Sequence, residues 1–600
     1  MKKNKDKKGK RSGFIADALT LKKSVREYKK PSFLAPVFVM AEVVLEVLIP
    51  YVMTLLLAKI KLAGEAGDAK ELLSDILRYG GYLLALALSS LAFGSLSGLF
   101  CARASSGFAK NLRKDMYYKI QDFSFANIDK FSTSSLVTRL TTDVTNVEMA
   151  YMMIIRTAIR APFMLIFSVV MAFSINSRMA LIFLCTAPVL AIGLTIIMLK
   201  AVPFFNRIFK KYDAMNESVE ENVRGMRVVK SYVREDYEKE KFYKASDNVR
   251  KDFTKAEKII AWNMPLMNFC IYAGLIAIYA IGSAFIVKTN EQLLKLTELQ
   301  SFMTYSFQIL MSLMMLSMIM VMVIMSTASA ERIAEVLKEN STISSPAAPV
   351  SEVKDGSVEF KNVCFKYSEK AERNALENIN VYIESGETVG IIGATGSGKS
   401  SLVNLIPRLY DVTDGEILVG GVNVKAYDLD VLRNNVAVVL QKNVLFSGTI
   451  KENLRWGDEN ASDAEVEAAA KLAQADEFIQ GFPDKYDTYI EQGGVNVSGG
   501  QKQRLCIARA LLKKPKILIL DDSTSAVDTK TDALIRKALK DYIPQTTKII
   551  IAQRIASVSD ADKIIIMENG RITATGTHDS LLKSNDVYAE LYRSQNKEDK

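Results

Sequence analysis

The chain has 600 residues, of which 49% are hydrophobic, and it carries a formal net charge of +10. Its mean hydropathy is +0.10, and residues 299–330 contain no charge. About 20 apolar residues suffice to cross a bilayer, so this uncharged segment is longer than a transmembrane helix needs to be. A purely soluble protein is therefore excluded. In a membrane protein, this positive charge indicates cytoplasmic loops that face anionic lipid rather than a nucleic-acid partner.

The N-terminal residues are basic and then amphipathic. MKKNKDKKGKR is followed by GFIADALTLKKSVREYKK at residues 13–30, which has the composition of a helix lying at the membrane surface. We therefore assign residues 1–30 to a basic tail and an interfacial helix. The apolar stretch that follows is long enough to span a bilayer and lacks a small-residue cleavage site, so it does not read as a secretory signal.

Six apolar segments in residues 31–330 are long enough to be transmembrane helices. The first is interrupted by Glu42 and Glu46, and the third begins with Arg156 and Arg160. Because intramembrane carboxylates are costly, we expect the two glutamates either to pair with one of these arginines or to serve a substrate, and pairing is favoured. The predicted spans are residues 34–58, 81–102, 152–174, 179–201, 259–287 and 299–328.

The loops predict the orientation of these spans. The connections after the second and fourth spans are long and basic, whereas those after the first, third and fifth are short. Since excess Lys and Arg mark the cytoplasmic side, both termini and the region after the last span are expected in the cytoplasm. The predicted location is therefore the plasma membrane, with multiple passes.

The sixth span contains FMTYSFQILMSLMMLSMIMVMVIM at residues 302–325, with eight of the chain's 24 methionines. Flexible thioethers suit adaptable apolar binding sites, but methionine also fills ordinary helix interfaces. Both interpretations stay open, and Phe302, Tyr305 and Phe307 favour the pocket.

A second domain follows the spans. Residues 331–355 change from a helical to a Ser/Pro/Ala-rich composition and are predicted to be a linker. Residues 356–600 then begin with β-rich runs and continue with alternating strand and helix patterns. The predicted fold is thus a polytopic α-helical membrane domain followed by an α/β domain.

The most specific motif in this second domain is GATGSGKS at residues 393–400. The apolar run TVGIIG precedes it and a helical pattern follows it, which is the context that a phosphate-binding loop requires. Glycines allow backbone N–H groups to approach phosphate oxygens, and the lysine adds positive charge. The residues expected to contact ATP here are Gly393, Gly396, Ser397, Gly398, Lys399, Ser400 and Ser401.

Further residues complete a predicted ATP and Mg²⁺ site. The apolar strand KILILDD ends in Asp521, whose carboxylate is suited to hold Mg²⁺ together with Ser400 and Gln441. Tyr367, in CFKY, is predicted to stack on adenine. The segment VSGGQKQRLCIARAL begins a helix after Ser498, with free N–H donors that favour an anion.

This ordered set of motifs resembles that of ABC ATPases, and the six spans ahead of it resemble an ABC exporter half-transporter. The resemblance implies that two chains sandwich two ATP molecules, each between one chain's phosphate-binding loop and the other chain's signature. SAVD, ending at Asp528, then resembles the D-loop, and residues 134–144 and 223–236 resemble coupling segments. The signature residues implied to contact the partner-site ATP are Ser498, Gly499, Gly500 and Gln501.

Two departures from the family pattern affect the chemistry. Asp522 stands where a glutamate base is usual, and Gln553, in IIIAQRIASV, stands where a histidine is usual. The aspartate is one methylene shorter than glutamate, and glutamine cannot carry a proton. His578 is the only histidine and is not expected to take over. Both catalytic positions are therefore degenerate, whereas the signature is nearly intact, since Val497 replaces only its usual leucine.

This combination resembles the degenerate-site subunit of bacterial heterodimeric multidrug ABC exporters. The expected partners are a second, non-identical half-transporter chain, the lipid bilayer and hydrophobic small molecules. The chain would bind ATP, hydrolyse it poorly, and complete the partner's site. The alternatives are a dedicated lipid or peptide exporter and a membrane ATP-sensing regulatory subunit.

Overall fold

The structure is a computed structural model that describes residues 17–66, 69–289, 292, 294–368, 371–522 and 527–598. The predicted basic tail before Asp17 lies outside these ranges, as do Ser525 and Ala526 of the SAVD segment. The chain forms two compact units. Met1–Gln121 with Ser132–Glu339 make the membrane unit, and Asp122–Phe131 with Asn340–Lys600 make the ATPase unit.

The membrane unit consists of long apolar helices. Within the described residues, six helical stretches are long and apolar enough to cross a membrane, which confirms the six predicted spans. These stretches are Asp17–Ala63, Lys70–Gln121, Thr133–Ile175, Ser177–Phe205, Glu235–Thr289 and Leu296–Lys338. In chain order the helices up to residue 338 are α1 (Lys29–Ala66), α2 (Ala69–Gln121), α3 (Phe125–Lys130), α4 (Thr133–Thr138), α5 (Val144–Ile155), α6 (Thr157–Ile175), α7 (Ser177–Arg224), α8 (Met226–Ser231), α9 (Glu235–Ile260), α10 (Asn263–Thr289) and α11 (Leu296–Lys338).

Several of these helices are much longer than the apolar segments that predicted them. Helix α2 has 53 residues, whereas about 20 suffice for a bilayer. Its last turns carry Arg113, Lys114 and Lys119, which have good helix propensity but do not belong in lipid. The helix therefore continues past the bilayer into water, where hydropathy alone gives no signal.

An ion-pair cluster joins two membrane helices. Arg160 of α6 donates to Glu42 of α1 at 2.5 Å and to both carboxylate oxygens of Glu46 at 2.7 and 2.8 Å. Glu42 is buried and also packs against Gly94 of α2, where an added Cβ would lie 2.9 Å from its carboxylate. The favoured pairing of these glutamates with an arginine is confirmed.

The two predicted coupling segments lie within the membrane unit. Residues 134–144 contain α4 and a π-helical turn at Arg139–Asp143. Arg139 forms an ion pair with Glu335 of α11 at 2.9 Å. Asp143 forms a second ion pair with Arg332 of the same helix at 2.5 Å. Residues 223–236 contain the end of α7 and the short helix α8. Their role in coupling stays a prediction.

A segment outside the two predicted coupling segments belongs to the ATPase unit. Residues 122–131, which contain α3, cluster with this unit although they connect α2 to α4 along the chain. Ser124 caps α3 through a reciprocal hydrogen-bonded box with Asn127. The Asn127 side chain also donates to the backbone oxygen of Asn340 at 3.1 Å, so the segment is tied to the start of the ATPase region.

The ATPase unit contains two main sheets, which confirms the predicted α/β fold. One is antiparallel with the strand order β2-β1-β4-β5, and the other is mostly parallel with the order β12-β11-β3-β10-β9-β6. The strands are β1 (Val358–Phe365), β2 (Leu376–Ile383), β3 (Thr388–Ile392), β4 (Asp414–Val419), β5 (Val422–Asn423), β6 (Val436–Val439), β7 (Gly448–Thr449), β8 (Tyr489–Ile490), β9 (Ile517–Asp521), β10 (Thr547–Ile551), β11 (Lys563–Glu568) and β12 (Arg571–Gly576). The helices are α12 (Lys399–Asn404), α13 (Leu429–Asn435), α14 (Ile450–Leu454), α15 (Asp463–Leu472), α16 (Asp476–Gln480), α17 (Gly499–Leu512), α18 (Thr529–Tyr542), α19 (His578–Ser584) and α20 (Asp586–Glu598).

The parallel sheet determines where the predicted site residues meet. Strands β3, β10 and β9 are adjacent and parallel, with Ile551 opposite both Ile391 and Asp521. Because the carboxyl ends of parallel strands meet at one edge of a sheet, the three segments that follow these strands come together there. These segments carry the phosphate-binding loop, Asp522 and Gln553.

The predicted linker at 331–355 is only partly a linker. Its first residues continue α11 as far as Lys338. Its later part already packs on the ATPase unit, since Val350 forms a parallel bridge with Tyr427 and its N–H donates to Ala426 at 2.9 Å.

Candidate nucleotide site

The phosphate-binding loop connects β3 to α12 and is tightly packed. Gly398 has φ +96°, in the left-handed region that favours glycine. At Gly393 an added Cβ would lie 2.2 Å from the Met567 carbonyl oxygen, so a side chain does not fit. By contrast, an added Cβ at Gly396 would meet nothing within 4 Å. The loop thus has a packed side against β11 and an open side for phosphate.

Lys399 is held at this loop. Its ammonium group donates to the carbonyl oxygens of Gly393 at 2.7 Å and Ala394 at 2.8 Å, and it lies 3.4 Å from the Ser397 hydroxyl. Burial lowers the pKa of Lys399, whereas the charges of Asp521 and Asp522 oppose that shift. The ammonium is therefore positioned to neutralise phosphate charge beside the loop.

The residues expected to hold Mg²⁺ partly converge. The Ser400 hydroxyl donates to Asp521 Oδ1 at 3.0 Å, which brings two hard oxygen ligands together, as Mg²⁺ prefers. Burial raises the pKa of Asp521, and the carboxylate of Asp522 raises it further. A cation beside this carboxylate would offset that cost, so the donor set fits Mg²⁺. Gln441 lies near the same centre, since its amide approaches Asp522 Oδ2 at 3.5 Å.

Asp522 and Gln553, the two predicted catalytic positions that depart from the usual residues, contact each other. The Gln553 amide donates to Asp522 Oδ2 at 2.8 Å, and Asp522 is buried with φ +47°. Its backbone N–H donates to Ile551 O at 3.1 Å, which fixes this turn to the end of β10. A non-glycine residue at positive φ is uncommon, and such residues cluster at functional sites, where the surrounding structure holds the backbone in this conformation.

Tyr367 and the signature residues are accessible. The Tyr367 side chain is 52% exposed, and its hydroxyl lies 2.8 Å from that of Ser401 at the start of α12. Ser498 caps α17 through a reciprocal box with Gln501, and Ser498 and Gly499 are exposed. Stacking of Tyr367 on adenine and contact of Ser498, Gly499, Gly500 and Gln501 with a partner-site nucleotide stay predictions.

Three residues around the site were not anticipated from the sequence. Gln595 of α20 accepts from the Ile555 N–H at 2.8 Å and donates to the Gln553 carbonyl oxygen at 3.0 Å. A cavity of about 730 Å³ lies between this helix and the phosphate-binding loop. The other two unanticipated residues are Tyr410 and Asp129. The Tyr410 hydroxyl donates a hydrogen bond to Asp129 Oδ2 at 2.7 Å. No local motif marks these contacts, because each joins residues far apart in the chain.

His578 does not belong to the nucleotide site. Its Nδ1 lies 2.7 Å from the Tyr588 hydroxyl, and its ring also packs against Tyr592. It therefore attaches α19 to α20.

A second cavity lies in the membrane unit. It has a volume of about 550 Å³ and is lined by Met314, Met318 and Met322 of α11, which face Met264 of α10 and Phe205 of α7. The pocket interpretation of the methionine-rich span thus has a matching cavity.

Comparisons with known proteins agree with this architecture. The family described as "ABC transporter transmembrane region" matches residues 32–333, and "ABC transporter" matches residues 376–525. The chain is 37% identical over 576 residues to the uncharacterized ABC transporter ATP-binding protein YfiB of Bacillus subtilis, covering 94% of this chain and 98% of that protein.

Two further comparisons extend this result. The chain is 34% identical to the putative ABC transporter ATP-binding protein MG014 homolog of Mycoplasma pneumoniae, covering 96% of this chain and 98% of that protein. Its fold is similar to that of a bacterial Atm1-family ABC exporter with ATP bound, with a TM-score of 0.82 at 23% identity. That comparison covers 94% of this chain and 99% of the other.

Proposed function

The chain belongs to the ABC transporter family, as a membrane domain fused to an ATPase domain, and on that premise we propose that it is the degenerate-site subunit of a heterodimeric exporter. In this proposal the partner is a second, non-identical half-transporter. The pair moves amphipathic or hydrophobic compounds out of the cell across the plasma membrane.

The contact between Gln553 and Asp522, at 2.8 Å, carries the proposal. ATP hydrolysis in this family needs a carboxylate that orients the attacking water and a group that stabilises the γ-phosphate. The Asp522 carboxylate is set back by roughly 1 Å relative to a glutamate, a misplacement that can cost about 10²-fold in rate. It also accepts a hydrogen bond from a neutral amide, which supplies neither a proton nor positive charge.

The remainder of the site supports ATP binding. Gly398, Lys399 and Ser400 form the phosphate-binding loop and the start of its helix, and Asp521 lies 3.0 Å from the Ser400 hydroxyl. Mg²⁺, when bound there, would neutralise charge on the phosphates. The chain is thus suited to hold ATP and poorly suited to hydrolyse it unaided.

The signature supports pairing with a different chain. Ser498 and Gly499 are exposed at the start of α17, where free N–H groups favour an anion. In a homodimer, this intact signature would face a second copy of Asp522 and Gln553, so both sites would be degenerate. A partner with glutamate and histidine at the positions of Asp522 and Gln553 would have a complete catalytic site, which the intact signature of this chain could complete from the other side.

The apolar cavity in the membrane unit supports a hydrophobic substrate. Its methionines provide a deformable apolar lining, and the lining residue Asn263 has a buried side-chain oxygen without a hydrogen-bond partner among the described residues. Such a lining suits amphipathic compounds that bring one polar group. A dedicated lipid or peptide exporter remains the alternative within transport.

A site that binds ATP and hydrolyses it slowly also fits a membrane ATP-sensing subunit. One experiment separates the exporter subunit from the ATP-sensing subunit. The full chain is purified in lipid nanodiscs alone and with its partner, and ATP binding, ATP hydrolysis and dye transport are measured. We expect the chain alone to bind ATP with negligible hydrolysis, and the pair to hydrolyse ATP and transport dye. Lys399→Ala should remove ATP binding and is the control for the site.

Two results would contradict the proposal. Robust substrate-stimulated hydrolysis by the chain alone, retained after Gln553→Ala, would exclude the degenerate-site interpretation. A pair that hydrolyses ATP without any transport coupled to it would favour the regulatory subunit.

A further inference from the structure

Gln595 of α20 holds the backbone on both sides of Arg554, shortly after the end of β10. Its side-chain oxygen accepts from the Ile555 N–H at 2.8 Å, and its side-chain amide donates to the Gln553 carbonyl oxygen at 3.0 Å. One side chain therefore uses its donor and its acceptor on the same stretch of backbone. A neighbouring strand would hold this stretch in the same way.

This stretch of backbone lies outside the parallel sheet. The pairing of β10 with β3 and β9 ends at Ile551, and a short 3₁₀ turn begins the next element at Ile555–Ser557. The Gln553 carbonyl and the Ile555 N–H lie between the strand and the body of this turn, so the strand pairing does not hold them. The two hydrogen bonds from Gln595 supply that hold.

The direction of the Gln553 side chain depends on this backbone. The side chain is exposed, so the packing of neighbours does not fix it. Its amide donates to Asp522 Oδ2 at 2.8 Å, and Gln553 lines the cavity of about 730 Å³ that the phosphate-binding loop also lines. The Gln553 amide thus lies beside the part of the site that is expected to hold phosphate.

Helix α20 is anchored at a second point, away from this contact. Tyr588 is 1% exposed and belongs to the main hydrophobic core of the ATPase unit, and its hydroxyl lies 2.7 Å from His578 Nδ1. Gln595 lies seven residues after Tyr588, which is about two helical turns, and both residues line the same cavity. The helix is therefore fixed in the core at one point and reaches the backbone of Gln553 at the other.

We propose that Gln595 is a positioning residue, which clamps the backbone at Gln553 and thereby directs the Gln553 amide at the γ-phosphate of bound ATP. The inference rests on the nucleotide site proposed above, but not on the rate of hydrolysis there. Without the clamp, the backbone around Gln553 gains conformational freedom, and its amide meets the γ-phosphate for a smaller fraction of the time. ADP has no γ-phosphate, so its binding does not depend on this contact.

The test measures the binding of two nucleotides to the full chain in lipid nanodiscs. Mg·AMP-PNP, an ATP analogue that is not hydrolysed, carries the γ-phosphate, whereas Mg·ADP lacks it. Gln595→Met keeps the length of the side chain and removes both hydrogen bonds. We expect this variant to weaken AMP-PNP binding relative to ADP binding by about tenfold, the effect of losing one hydrogen bond to a charged group.

A double-variant cycle separates positioning from a general loosening of the fold. Gln553→Ala should weaken AMP-PNP relative to ADP by the same factor as Gln595→Met. Combining the two changes should add nothing further, because the clamp acts only through the Gln553 side chain. A merely structural role of Gln595 would instead weaken both nucleotides together, and would do so in the Gln553→Ala chain as well.

Gln595→Glu tests the hydrogen bonds in a side chain of the same size and of similar helix propensity. Its carboxylate can still accept from the Ile555 N–H, but it repels the Gln553 carbonyl oxygen, so we expect the same relative loss of AMP-PNP binding. Gln480→Met is the matched control. Gln480 donates to Asp476 at 3.2 Å from an exposed position of the same unit, and this change should leave both dissociation constants unaltered.

Four outcomes would overturn the inference while leaving the nucleotide site intact. They are an unchanged nucleotide preference in Gln595→Met, in Gln595→Glu or in Gln553→Ala, and a full further loss in the double variant. An equal loss in Gln480→Met would overturn it too, since the effect would then not belong to the clamp. If the wild-type chain binds neither nucleotide, the nucleotide site itself is wrong, and the inference fails with it. Robust hydrolysis by the chain alone would contradict the proposed function and leave this inference standing.

Discussion

The Gln553 side-chain amide donates to Asp522 Oδ2 across 2.8 Å, so the two residues that depart from the family pattern form one contact. A histidine and a glutamate at these positions would form a charged or proton-sharing pair. The Gln553 amide donates a hydrogen bond to the shorter Asp522 carboxylate, but an amide cannot give up or take up a proton. The two substitutions therefore change one chemical unit, and their effects on hydrolysis are expected to be non-additive.

Restoring the usual residues should activate the site. The double change Asp522→Glu with Gln553→His is expected to raise hydrolysis at the chain's own site by about 10²-fold, since it returns the base to its position. Each single change should give much less. Single-turnover hydrolysis of labelled ATP by the nanodisc-embedded pair measures this rate.

The control for this restoration is Asp541→Glu, which adds the same methylene at an exposed position of α18. It should leave the rate unchanged. In the opposite direction, Asp522→Ala should reduce hydrolysis by the pair only modestly. A loss as large as that caused by changing the partner's glutamate would contradict the asymmetric assignment.

The second prediction concerns Gly500 in the signature. Gly500→Asp should lower steady-state hydrolysis by the pair by more than about 10²-fold, because a carboxylate would stand where a γ-phosphate must lie. ATP binding by the chain's own phosphate-binding loop should persist. Asn460→Asp is the control, since it adds the same negative charge at an exposed position of the ATPase unit; equal inhibition by both variants would indicate a general charge effect.

The third prediction concerns the apolar cavity. Replacing Met314, Met318 and Met322 together by alanine should change the transport of bulky hydrophobic dyes several-fold, roughly as expected for methylenes lost from an apolar pocket, with basal hydrolysis largely intact. The matched control replaces Met311, Met315 and Met320, which lie on the same helix outside the cavity lining. Unchanged transport of every dye would mean that the cavity methionines are structural filler.

The fourth prediction concerns the membrane ion pairs. Arg160→Met should lower the stability of the chain by about 3–5 kcal/mol, because Glu42 and Glu46 would be left without their cation. Thermal unfolding of the full chain in nanodiscs measures the effect. Arg178→Met, at an exposed position, should be close to neutral.

A compensated variant separates charge from packing at this cluster. Adding Glu42→Gln and Glu46→Gln to the Arg160→Met chain should recover most of the lost stability, since no uncompensated charge then remains. Failure to recover would show that the packing of the Arg160 side chain, rather than its charge, holds α1 and α6 together.

Features determined by local pattern were predictable from the sequence. The six spans follow from uncharged apolar runs, and the position of Ser400 beside Asp521 follows from a loop and a strand whose ends meet at one sheet edge. The pairing of Glu42 with an arginine was also predictable, because few partners exist for a carboxylate within the spans.

The contacts of Tyr410 and Gln595 were not predictable. Tyr410 and Asp129 are 281 residues apart, and Gln595 is 42 residues from Gln553, so their hydrogen bonds depend on the complete tertiary fold. Helix α3 has only six residues and no apolar periodicity, so hydropathy gives no reason to separate it from the basic loop around it. Its membership in the ATPase unit emerges only from packing.

The capping box at the start of α17 has a consequence for assembly. The Ser498 N–H donates to Gln501 Oε1 at 2.9 Å while the Ser498 hydroxyl accepts from the Gln501 N–H at 3.3 Å, so this turn is already rigid in the single chain. Ordering a loop on association costs conformational entropy, and a preorganised turn avoids that cost. Under the proposed pairing, the free energy gained when the two ATPase domains meet is thus available for moving them, instead of being consumed in shaping the surface that receives the nucleotide.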